Sequence, residues 1–206
     1  MDELTEIQHS AITEMLNIAI GRAAAALNDL VDEEVSLSVP EVIFSTRREA
    51  GRLIDERAGS TACAVMQEFD GSFAGNAMLI FPEAKSLALV RLMIGEAVPL
   101  ETLTELEQEA LTEVGNIVLN ASLGTLANLL ELEIDSSLPV YLNGTGATIL
   151  HDAAGKGGDE DWTLLVEVDF DLAASAISGY VLLMLDVVSA QRFAALVDAY
   201  MEKFMA

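Results

Sequence analysis

The sequence predicts an α+β fold in which an antiparallel sheet carries two long helices on one face, the helices related by a pseudo-two-fold axis. Three observations carry this reading. The chain is duplicated, each half runs helix, several strands, helix, and neither half shows the strict strand–helix–strand alternation of a parallel sheet. Residues 10–40 (SAITEMLNIAIGRAAAALNDLVDEEVSLSVP) and 109–139 (EALTEVGNIVLNASLGTLANLLELEIDSSLP) match on a 99-residue shift, with Glu14 on Glu113, Asn17 on Asn116, Ile18 on Ile117, Leu27 on Leu126 and Pro40 on Pro139. Downstream, at a slightly longer offset, GNAMLIF (75–81) lies over GYVLLML (179–185). A period of about 100 residues is too long for a solenoid unit, so the chain reads as one domain built from two repeats, about 1–98 and 99–206.

The elements follow in order. Leu, Ile, Ala and Met at helical spacing, with no internal proline, predict long helices near 3–31 and 102–131. The Asp32–Glu33 and Leu132–Glu133 junctions turn the chain into strands. Val35, Leu37 and Val39 alternate with Ser36 and Ser38, and Ile43 and Phe44 extend the run past Pro40; Ile134, Leu138, Val140 and Leu142 play that part in the second half. Two hairpins follow, ACAVMQEF with SFAGNAMLIF and TLLVEVDFDL with SAISGYVLLML. Closing helices are expected near 83–94 and 187–205, and HDAAGKGGDED (151–161) as a solvated, Gly- and Asp-rich loop. The prolines mark a strand start or a sheet edge, because proline removes a ladder donor.

Composition narrows the function. Thirty-four acidic against ten basic side chains give a formal charge of −24, which repels phosphate backbones and anionic membrane surfaces. Apolar residues at 52% are too many for a disordered acidic chain. No Lys or Arg occurs between Arg91 and Lys156, so one surface is expected to be strongly negative. The single Cys63 permits no internal disulfide and no cysteine-rich zinc site. The start lacks the basic and apolar regions of a signal peptide, and no run approaches the length of a spanning helix; a cytoplasmic protein is expected.

Each long helix carries a polar line. Glu6, Ser10, Thr13, Glu14, Asn17 and Gly21 share one face of the first, and Glu105, Glu109, Thr112, Glu113, Asn116 and Asn120 stand in the same register on the second. A solvated face with an incidental Asn would explain one copy. Asn is a mediocre helix former, however, yet it recurs mid-helix, followed each time by small residues (AIGRAAAA, LNASLG) that would let a partner approach closely.

These residues carry a resemblance. Ser10-x3-Glu14-x2-Asn17-x22-Pro40 matches the D/S-x3-E-x2-N-x22-P signature of the CheC/CheX/FliY chemotaxis phosphatases at every position. Glu109-x3-Glu113-x2-Asn116-x22-Pro139 matches its Glu, Asn and Pro, with Glu109 departing from the Asp or Ser of the pattern. The chain looks most like CheC, which carries two such sites, and the CheC-like duplicated fold would cover its whole length. The resemblance implies hydrolysis of the aspartyl phosphate of a CheY-like response regulator, with Asn17 and Asn116 orienting the attacking water and Glu14 and Glu113 pairing with the regulator's lysine. Ser10 and Glu109 would be supporting residues. Magnesium would belong to the partner regulator's active site, with no cofactor on this chain, and CheD is a further partner that some CheC proteins bind. Glu109 adds like-charge repulsion one turn before Glu113, so Asn17→Ala is expected to cost more activity than Asn116→Ala.

Other chemistries fit less well. His9 at the helix start and His151 opening the loop read as surface histidines, and Cys63, in a strand pattern, as buried. NGTGAT (143–148) and GKGG (155–158) lack the spacing of a phosphate loop and read as turns, and the acids of 151–161 lack EF-hand spacing. Met78, Met93, Met184 and Met201 read as core filling. The competing reading is a catalytically weak adaptor that binds phosphorylated CheY or CheD.

Overall fold

Thr5 starts the first long helix, α1 (Glu6–Asn28), with a capping box: its hydroxyl accepts from the Gln8 amide at 3.2 Å, and the Gln8 side chain accepts from the Thr5 amide at 2.9 Å. The structure, a computed structural model, describes residues 4–29, 34–59, 61–86, 90, 103–153, 162–172 and 175–205. At the far end of α1, Asn28 takes both polar groups of Val35, donating to its carbonyl at 2.8 Å and accepting from its amide at 2.6 Å, which feeds the chain into β1 (Ser36–Thr46). Then come α2 (Arg47–Ala58), β2 (Ala62–Gly71) and β3 (Gly75–Pro82). The second half repeats the order: α3 (Leu103–Leu130), β4 (Ile134–Ser136), β5 (Val140–Gly144), α4 (Gly146–Ala153), β6 (Trp162–Leu172), β7 (Ser175–Leu185) and α5 (Val187–Met205).

Among the described residues the strands form one antiparallel sheet in the order β1-β6-β7-β3-β2, with β4 and β5 along the free edge of β2. The halves exchange strands: β1 pairs with β6 of the second half, and β4 and β5 pair with β2 of the first. β3 and β7 meet at the centre, where Met78 faces Leu182. Those two residues are equivalents under the shift that lays GNAMLIF over GYVLLML, so the pseudo-two-fold axis passes between them.

Both edges are interrupted at the motif proline. In β1 the register slips by one residue between Ser38 and Glu41, across Val39 and Pro40. In the second half the same interruption, around Pro139, splits the edge into β4 and β5. Proline lacks an amide to donate, so an edge bulge accommodates it. Leu138, expected on the strand's apolar side, sits in the interruption and is 86% exposed.

The long helices pack against one another and cover one face of the sheet, as the sequence predicts. Ile12, Leu16, Ile20, Val114, Val118 and Leu123 lie over Phe69, Leu79, Phe81, Val166, Phe170 and Leu183. The opposite face is covered too, which the sequence reading did not anticipate. There α2 and α4 close a second core over Ala64, Met78, Ile80, Leu165 and Leu182. Glycines let the two short helices touch: a β-carbon on Gly146 would lie 2.8 Å from the Gly51 carbonyl oxygen. Asp55 of α2 caps α4 by accepting from the Gly146 amide at 2.5 Å.

These helices correct two expectations. Gly146, Ala147 and Thr148, read as part of a turn, open α4, and His151 lies in its last turn instead of opening a loop. Residues 154–161 of the expected loop lie outside the described residues, as does Met93. Met78 and Met184 are buried and Met201 packs half-buried against the core. The closing helix near 83–94 is seen as helical residues 83–86 and 90, and α5 matches its expected span. Among the described residues no helix is long and apolar enough to cross a membrane.

Candidate functional site

The polar line of α1 faces solvent. Ile12, Met15, Leu16, Ala19 and Ile20 point into the core, which leaves Ser10, Glu14 and Asn17 on the outer face. His9 anchors the start of that face, its ring meeting Phe44 edge-on at 5.2 Å. The Ser10 hydroxyl donates to the Glu6 carbonyl at 2.9 Å, and Thr13 likewise to His9 at 2.9 Å. Both are turned onto their own helix, the usual way a mid-helix hydroxyl satisfies itself. Asn17 donates one N–H to the Thr13 carbonyl at 3.0 Å. Its carbonyl oxygen and second N–H make no hydrogen bond among the described residues, and Glu14 beside it is exposed and unpaired there. Gly21, one turn on, has open space around it.

The second pair is built differently. Glu109 and Glu113 are exposed on α3, but Asn116 is half-buried. Its oxygen accepts from Gln67 Nε2 at 3.2 Å and from Asn120 Nδ2 at 2.7 Å. Asn120 in turn accepts from the Ser136 hydroxyl at 3.0 Å. An amide oxygen has two lone pairs, so two donors saturate it and Asn116 offers only its N–H groups. The structure therefore distinguishes two carboxamides that the sequence aligns.

Two residues cause the difference. Gly115 lets α3 lie against β2, since a β-carbon there would stand 2.4 Å from Val65 Cβ; α1 has Leu16 at the matching position. Gln67, 1% exposed on β2, reaches up from the sheet between α3 and the β4–β5 interruption, where it also donates to the Ser137 carbonyl at 3.2 Å. Its own oxygen is buried without a partner. Leaving such a group unsatisfied costs about 1–3 kcal/mol. Strand register brings Val166 of β6, through its pairing with β7, and Val168, through its pairing with β1, to the level of Gln67, and both are apolar and buried.

Neither Gln67 nor Gly115 was singled out from the sequence. The available signal was the mismatch between the repeats, a Gln in one inward-facing strand where the other copy has Val. Cys63, expected to be buried, is 1% exposed, and burial pushes its thiol up to about 12, with the nearby Glu107 carboxylate adding to the shift. A thiol held in that form is not a nucleophile near neutral pH.

Fold and site together define a class: a duplicated helix-and-sheet protein that presents two carboxylate–carboxamide pairs, each one helical turn long, on the outer faces of its packed long helices. The family model described as Chemotaxis phosphatase CheX matches residues 63–158. Among curated proteins the chain is similar to the flagellar motor switch phosphatase FliY of Bacillus subtilis (strain 168), 26% identical over 84% of this chain and 44% of that protein. It is also similar to the CheY-P phosphatase CheC of the same organism, 28% identical over 71% of each chain. The match thus spans less than half the length of that FliY. Among solved structures, Thermotoga maritima FliY shares the fold with a TM-score of 0.75 at 19% identity, over 96% of this chain and 98% of that one. By these matches the chain is similar to the CheC/CheX/FliY chemotaxis phosphatases and shares their fold.

Proposed function

We propose that this protein hydrolyses the aspartyl phosphate of a CheY-like response regulator in cytoplasmic chemotaxis signalling. The observation that carries the reading is the solvent-facing Glu14–Asn17 pair, with its equivalent Glu113–Asn116, in a chain whose relatives are named as phosphatases. Phosphoryl transfer asks little covalent chemistry of the protein and much positioning. Asn17 supplies that positioning. Its free oxygen accepts a hydrogen bond from the attacking water, which leaves a water lone pair in line with phosphorus, while its spare N–H is available to a phosphoryl oxygen. A neutral amide does this without the repulsion a second carboxylate would bring to a phosphoryl group. Glu14 and Glu113 dock by pairing with a lysine beside the regulator's acyl phosphate, and Ser10 and Glu109 remain supporting residues. The magnesium that neutralises the phosphoryl charge belongs to the regulator.

The test is phosphate release from a phosphorylated receiver domain by the wild type, Asn17→Ala, Asn116→Ala and the double variant. The double variant is expected to fall to the receiver's own rate of autodephosphorylation. Full activity in the double variant would overturn the site. No acceleration by the wild type would leave the role of an adaptor that binds phosphorylated CheY or CheD.

A further inference from the structure

We propose that Gln67 is a positioning residue of the second site, holding Asn116 by its oxygen so that the Asn116 amino group alone faces the partner. The proposal rests on the phosphatase reading and deepens it. Gln67 lies on β2, in the first half of the chain, whereas Asn116 lies on α3, in the second; the hydrogen bond at 3.2 Å joins them across the strand exchange. The same amino group reaches the Ser137 carbonyl at 3.2 Å, next to Leu138 and Pro139. One buried side chain therefore bridges the motif's Asn and the edge interruption that its Pro marks.

The duplication supplies an internal control. At the equivalent level under the first site stand Val166 and Val168, both buried and apolar, so neither the sheet nor the packing of a long helix on it requires an amide here. The first half leaves the Asn17 oxygen free, and the second buries a carboxamide with an unpartnered oxygen beside Asn116. A buried polar group that the fold does not need is accounted for by the group it contacts. Held by Gln67 and Asn120 together, Asn116 is ordered before a partner arrives, and it meets the phosphoryl site as a pure donor. The two sites differ in chemistry, one offering both an acceptor and a donor, the other only donors.

The experiment isolates the second site in an Asn17→Ala background. Gln67→Val copies the other repeat, and Gln67→Met keeps the volume while removing the donors. Both should lower kcat for phosphate release several-fold with KM for the phosphorylated receiver little changed, because docking rests on Glu113. In an Asn116→Ala background the loss from either variant should disappear. The Asn116 side-chain amide signals in a 15N–1H spectrum should shift in both variants. Equal losses in the two backgrounds, full activity of Gln67→Met, or a rise in turnover would overturn the proposal. Unmoved Asn116 signals would overturn it without any activity assay. If the Asn17→Ala protein and the wild type alike fail to accelerate dephosphorylation, the phosphatase reading falls first, and the amide signals alone decide whether Gln67 holds Asn116.

Discussion

Replacing Gly115 by Ala tests how closely α3 must lie on β2. The new β-carbon would meet Val65 Cβ at 2.4 Å, Cγ1 at 2.5 Å and Cγ2 at 2.8 Å. Carbon atoms rest at about 3.5–4.0 Å, so helix and strand must separate by roughly 1 Å. Overpacking of this kind costs about 1–3 kcal/mol, and Ala recovers close to 1 kcal/mol through its better helix propensity. The net expectation is a loss of up to about 2 kcal/mol, or at most several degrees in Tm for a chain this long. The same displacement takes the Asn116–Gln67 bond from 3.2 Å beyond hydrogen-bond range. Gly124→Ala on the same helix is the control, because nothing lies within 4 Å of its β-carbon position; it should stabilise by about 0.5–1 kcal/mol. Urea and thermal unfolding measure the stabilities, and phosphate release in the Asn17→Ala background measures the second site. If Gly115→Ala stabilised as Gly124→Ala does, or left second-site turnover intact, the close approach of α3 to β2 would not govern the site.

Two further outcomes are expected. Asn17→Ala should remove more than half of the wild-type turnover, because the Asn17 oxygen is free to accept from water and that of Asn116 is not; equal losses from the two variants would remove this ranking. Stability should fall on the alkaline side because of Cys63, whose folded pKa of about 12 stands above its ordinary value of 9.0. The thiol's contribution is fully present below pH 9.0 and is lost as the pH rises toward about 12, at up to about 1.4 kcal/mol per pH unit. Cys63→Ala should flatten that limb in denaturant titrations, and native Cys63 should resist alkylation until the chain unfolds.

Much of the fold was legible because its signals are local. Apolar residues at helical spacing gave the long helices within about three residues of their described ends. Strand alternation and short turns gave both hairpins. The short helices escaped because their signals are slight. α2 is highly charged and buries Arg47, Ala50, Gly51 and Ile54, while α4 is eight residues long. Two cues for them stood in the sequence. Thr46-x2-Glu49 is a capping box, realised at the start of α2. The uninterrupted apolar runs AMLIF and VLLML belong to strands covered on both faces, which requires a second helical layer.

The candidate site divides in the same way. The sequence by itself determined the duplication, the helical line that carries Glu14, Asn17, Glu113 and Asn116, and the edge prolines, since each depends on spacing along one element. Tertiary structure alone decided that the two Asn side chains differ. That difference comes from Gln67, 49 residues before Asn116 in sequence, and from the strand order that places β2 beneath α3. A hydrogen bond between residues so far apart leaves no local period to read. It exists because the halves exchange edge strands, and because Gly115 lets the helix lie low enough for an amide from the sheet to reach an amide on its flank.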